Sequence, residues 1–148
     1  MRKLWITVLV AGLGLAFPAV PAGAGLFSAT RAVIAILADD LFVGEAEGHL
    51  NGAGTLVIRS QKEPGLACFG QFTSSTVRGG SGQMQCSDGS TGTFLFTRLS
   101  VFRGHGVGGS SRGSMSFAYG LTAEEAAPYL MLPRGKKLRH NGIGLELV

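Results

Sequence analysis

Glu45, Glu47 and His49 stand two residues apart in GEAEGHL, so on an extended chain all three project from one face. Two carboxylates and an imidazole are groups that can ligate a metal ion. The spacing works against it, because residues i and i+4 of a strand lie about 13 Å apart and one ion would reach two of the three. A solvated polar sheet face is the reading that follows, and no metal site is assigned. His105 lies in RGHGVGG, a glycine-dense segment of the kind that cradles phosphate. No G-K-[ST] and no helix start follow it, so its amides have nothing to complete an anion cradle, and the segment reads as a flexible β-turn region. Ser110 and Ser111 with His105, Asp39 and Asp40 supply the residue types of a nucleophile–base–acid set. No G-x-S-x-G elbow accompanies them, and no catalytic residue is assigned.

The C-terminal RGKKLRH places four cations, Arg134, Lys136, Lys137 and Arg139, within six residues. The last fifteen residues carry a net +3. Such a segment suits an anionic envelope surface, where each Lys or Arg contributes about 1 kcal/mol.

What positions these residues begins with export. MRK is a basic head, Leu4 to Phe17 is an uncharged apolar run, and PAVPAGAG follows with Ala22-Gly23-Ala24 as an A-x-A site. That order is a secretory leader over residues 1–24, cleaved before Gly25. The apolar run of 14 residues falls short of the roughly 20 that span a bilayer, so no stable transmembrane span is expected after processing. The expected location is periplasmic or secreted. Processing leaves 11 basic against 9 acidic residues, too small an excess to suggest nucleic acid as a partner.

In an oxidising compartment an isolated cysteine pair is expected as a disulfide. ACFGQF (Ala67 to Phe72) and SGQMQCS (Ser81 to Ser87) read as strands around the turn-rich TSSTVRGG. A hairpin centred near Val77 sets Cys68 opposite Cys86, with Phe72 and Met84 on the same face. Closing a loop of this size contributes roughly 3 kcal/mol.

Glycine, 24 of 148 residues, is more than twice its usual share of about 7%. A pattern of G-x-apolar, a turn and G-x-G-x-apolar recurs from Gly48, Gly70 and Gly92. Glycine weakens a strand unless something packs where its side chain would be. Phe42, Phe72, Phe94, Phe96, Phe102, Phe117 and Tyr119 are the rings expected to lie across a neighbour's glycines. FVGEAEGHLNGAGTLVI and CFGQFTSSTVRGGSGQMQCSDG resemble degenerate MORN-type repeats, glycine-rich β-hairpins, matching at Phe42-x-Gly44, Gly52-x-Gly54 and Asp88-Gly89. The chain is also similar to small exported bacterial proteins of unassigned function.

The remaining segments complete a β domain. Within Ala29 to Phe42 the continuous apolar run Ala32 to Ala38 reads as a buried first strand; a helix is the alternative, and Val33, Ile34 and Ile36 favour the strand. Gly113 to Gly120 alternates Met115, Phe117 and Tyr119. Thr122-Ala-Glu-Glu125 is a capping box that opens a helical turn over Ala123–Ala127, cut short by Pro128. The expected fold is all-β: an antiparallel meander of about seven strands in a sandwich or half-open barrel, spanning residues 25–133, with 134–148 a basic tail or final strand. The expected role is a non-catalytic structural or binding module of the bacterial cell envelope, needing no cofactor, with an anionic surface or a strand-adding envelope protein as partner. A small envelope hydrolase is the alternative.

Overall fold

The apolar run that begins at Ala32 is the first strand, as expected, and the segment on to Phe42 turns into a second. In a computed structural model, which describes residues 28–148, β1 (Ser28–Leu37) turns at Ala38-Asp39 into β2 (Asp40–His49). The leader expected over residues 1–24 lies outside the described residues. Six further strands follow in order: β3 (Ala53–Ser60), β4 (Ala67–Thr76), β5 (Gly79–Cys86), β6 (Thr91–Ser100), β7 (Arg103–Ser110) and β8 (Gly113–Tyr119). Each pairs antiparallel with the next, and β1 pairs with β8 to close the barrel. The fold is therefore all-β and antiparallel as expected, but with eight strands and full closure in place of about seven in a sandwich or half-open barrel. The closing ladder joins Val33–Leu37 to Met115–Tyr119, and Ser28–Arg31 extend beyond it.

Alternation along β1 explains its unbroken apolar run. Val33, Ala35 and Leu37 point into the barrel, whereas Ile34 and Ile36 point outward. The outward pair is buried as well, because the chain after β8 folds back over it. There Thr122 caps α1 (Ala123–Ala126) through the reciprocal bonds of the expected capping box, Glu125 N–H to Thr122 Oγ1 and Thr122 N–H to Glu125 Oε1, both 3.2 Å. A 3₁₀ turn at Ala127–Tyr129 takes up Pro128. A hairpin of β9 (Leu138–His140) and β10 (Leu145–Leu147) completes the cover. Leu121, Ala126, Leu130 and the hairpin leucines pack on Ile34, Ile36, Leu41 and Ala118.

RGHGVGG is β7, not a flexible turn region, and the reason is steric. Its Gly104 and Gly106 stand directly across from Tyr119 and Phe117, whose rings occupy the space a Cβ would need. Phe72 covers Gly54, Phe94 covers Gly82, and Phe96 covers Gly80 in the same way. Five of the seven rings expected over glycine are there. Phe42 is instead fully buried near the floor, and Phe102 lies in the turn between β6 and β7.

Candidate functional site

The hairpin register predicted from Val77 holds: Cys68 faces Cys86, with Gly70 opposite Met84 and Phe72 opposite Gly82. The cysteines are bonded, Sγ–Sγ 2.02 Å and Cα–Cα 3.9 Å. They point inward and, with Leu37, Phe42, Ile58, Leu66 and Met115, fill one end of the barrel completely. The turns beneath that floor are tied to each other. Arg112, in the β7–β8 turn, reaches Asp88 at 2.5 Å and Glu63 at 3.5 Å, and Ser87 Oγ donates to Gly65 O at 2.9 Å. Two bonds from Ser90, followed by the Arg112 guanidinium, lower the pKa of Asp88 from an ordinary 3.8 to about 2.

The opposite end is open. A cavity of about 500 Å³ enters there, its floor made by Val33, Leu56, Phe94 and Phe117 and its walls by Phe72, Phe96 and Tyr119. The rings contact edge to face: Phe94 with Phe117 at 5.3 Å, Phe72 with Phe96 at 5.5 Å, and Phe96 with Tyr119 at 6.3 Å between centroids. Because every ring lies over a glycine, the wall is thin where a side chain would have narrowed it, and the aromatic faces are left to line the space.

Two cations guard the mouth. Arg98 follows Phe94 and Phe96 at two-residue intervals and so shares their inner face. Its guanidinium donates to Ser74 Oγ. Burial raises the pKa of Tyr119, and the charge of Arg98 opposes that rise, which places the phenol within the arginine's field. Arg31, in phase with Val33, lies over the Phe102 ring at 4.3 Å from its centroid. The rim outside them is apolar: Leu50 is 77% exposed, Val77 88% and Val101 69%, each at a turn of this end.

The residues singled out in the sequence are mostly elsewhere. Glu45 and Glu47 lie on the outer face of β2, and His49 reaches the rim of the mouth. No cluster among the described residues has the geometry to hold a metal ion. His105 stacks on Tyr129 with centroids 4.1 Å apart on the barrel's outer side. Ser110, the last residue of β7 at the closed end, accepts from Arg112 N–H and lies five residues along the strand from His105, about 17 Å away. Asp39 forms the β1–β2 turn, and Asp40 faces Lys62 at 3.9 Å. In the tail, Arg134, Lys136, Lys137 and Arg139 are all exposed, and Arg139 chelates Glu146 Oε1 through Nε at 2.9 Å and Nη2 at 2.5 Å. Edges without a strand partner among the described residues lie at Ser28–Arg31 and on the β9–β10 hairpin. Arg31, Ser74, Arg98 and Tyr119 are not among the site residues expected from the sequence. The signal was present: Phe94, Phe96 and Arg98 share one phase, an arginine in line with core aromatics.

Searches with family models, among curated proteins and among solved structures found no match.

Proposed function

We propose that this chain is an exported, non-catalytic binding module of the bacterial cell envelope that holds one apolar ligand in the mouth of its barrel. The observation that carries this reading is the 500 Å³ cavity with its aromatic walls. An eight-stranded barrel has interior space either for its own side chains or for one small ligand, and here the two uses are divided between the ends. Apolar clefts of this size bury most of a small ligand's surface. The outer face is mixed: Glu45, Gln71, Gln83 and Thr93 are exposed on β2, β4, β5 and β6 beside exposed Phe69, Leu95 and Val107, whereas a lipid-facing barrel carries a continuous apolar band. No helix among the described residues is long and apolar enough to cross a membrane. The disulfide accords with an oxidising compartment. The exposed tail cations add an anionic envelope surface as a contact of the same module, one that weakens as salt screens it.

Fluorescence titration with N-phenyl-1-naphthylamine, a neutral apolar probe, tests the binding reading. One saturable site per chain is expected. Ala46→Phe, which places a ring in the mouth, should abolish the site while leaving the thermal midpoint within a few degrees. Absence of saturable binding by the wild type, or undiminished binding by a folded Ala46→Phe protein, would refute it.

A further inference from the structure

We infer that the cavity selects a single-chain amphiphile with an oxyanion head, and that Arg98 holds the head while the aromatic walls take the chain. This rests on the binding reading above and adds the ligand's chemistry to it.

The argument starts from how this chain treats its other arginines. Arg103, Arg112 and Arg139 each meet a carboxylate, of Glu125, Asp88 and Glu146. Arg59, Arg78 and Arg134 are exposed to solvent. Arg98 and Arg31 have neither arrangement. Both are half-buried at the cavity mouth, and among the described residues no carboxylate lies within ion-pair distance of either. A guanidinium withdrawn from water beside apolar walls loses solvation that a neutral hydroxyl replaces only in part. Ser74 occupies one edge of the Arg98 fork. The fork has further donors, and a carboxylate or phosphate matches their planar spacing with two parallel bonds.

Position selects the rest of the ligand. Phe96 precedes Arg98 by two residues on the inner face, and Phe94 lies two further toward the floor. A molecule anchored at Arg98 therefore meets Phe96 and then Phe94 and Phe117 as it runs inward, an order of polar then apolar contact. Tyr119 stands beside both, its ring against Phe96, and offers a hydroxyl to the same head. A wholly apolar ligand would fill the floor and leave Arg98 unanswered. A compact anion would answer Arg98 and leave the floor empty.

The experiment displaces N-phenyl-1-naphthylamine from the intact protein with dodecanoate, dodecyl phosphate and dodecan-1-ol. A charge-assisted hydrogen bond contributes about 1.5–3 kcal/mol, so the two anions should each compete about tenfold or more better than the alcohol. Arg98→Gln should bring the three toward equality, and Arg98→Lys should retain part of the preference. Dodecanoate and dodecyl phosphate separate carboxylate from phosphate as the head, and preference for either over the alcohol supports the assignment. Equal competition by anion and alcohol in the wild type would overturn head selection while leaving the cavity reading intact. An unchanged preference in Arg98→Gln would overturn the role of Arg98. Displacement by none of the three, with the probe bound, would overturn the ligand class, whereas failure of the probe itself to bind would overturn the binding reading. The wild-type comparison does not depend on any variant folding.

Discussion

At one end of the barrel three turns are tied to one another by charges and hydroxyls, and above them lie a disulfide and a packed floor. At the other, three turns carry Leu50, Val77, Val101 and Phe102 into solvent, and the strands enclose space. Both ends are built from hairpins of one sheet, so the contrast is not one of fold. It is one of where side chains of different size fall along each strand. In β4, Cys68 fills the floor and Phe72 lines the mouth; in β8, Met115 fills and Tyr119 lines. The closed end fixes the strands so that the open end is free to keep a cavity, which is how a rigid scaffold usually presents a binding surface on its loops. Local stability should follow the same gradient.

The largest effect expected from breaking this contrast is at the floor. Phe42→Ala removes a ring with no exposed surface and should lower the unfolding free energy by about 3–5 kcal/mol in urea titration. Leu50→Ser, at the rim, should stay within about 0.5 kcal/mol of the wild type. Comparable losses at the two sites would mean that the ends do not differ in the way described.

The disulfide comes next. Its cysteines are separated by 18 positions in sequence, and replacing both by Ala should lower stability by roughly 3 kcal/mol in the chain-entropy account. Because the bond lies at the floor, the affinity for N-phenyl-1-naphthylamine should change little under conditions where the variant remains folded. A large loss of affinity with folding intact would show that the two ends are coupled.

The smallest effect concerns acid. The Asp88 pKa is lowered on folding, so its carboxylate favours the folded state above the ordinary value of 3.8, and that contribution fades as pH falls toward about 2. The thermal midpoint should therefore fall between about pH 4 and pH 2, and less steeply in Asp88→Asn. An equal fall in both proteins would remove Asp88 from the bracing of the closed end.

Much of this architecture can be read from residue order alone, where local chemistry has one solution. The symmetric placement of Cys68 and Cys86 about Val77 fixes a register, and Thr122 with Glu125 fixes a helix start. Rings interleaved with strand glycines point to cross-strand cover. The β1–β2 turn was hidden for a definite reason. Tight hairpins that need positive φ normally use Asn-Gly or Gly-Gly, but here Ala38 and Asp39 take φ values of 48° and 68°. Asp39-Asp40 interrupts the apolar run there, but no glycine or asparagine marks the turn. β7 was hidden because glycine usually signals a loop, and its fitness for a strand depends on rings from β8 that are distant in sequence for the earliest of them. Closure depends on β1 meeting β8, a contact between segments about eighty residues apart that no local pattern encodes. The site suffered most. Arg31 and Arg98 resemble ordinary polar strand ends until the barrel closes and turns them toward one cavity.

The glycine–ring pairs also have an evolutionary meaning. At Gly104, Gly106 and Gly82 a methyl group would overlap the opposing ring and a neighbouring backbone oxygen, so glycine is locked while its partner remains aromatic and the strands keep their spacing. The partner is not locked in return, since shortening a ring only enlarges the space beside it. Variation is therefore one-way: lineages can widen the mouth through Phe72, Phe96 or Tyr119, but they cannot narrow it from the glycine side without first altering two strands together. Among descendants of such a barrel, ligand size should drift through substitutions at the rings, while the glycines persist as a fixed skeleton in otherwise divergent chains.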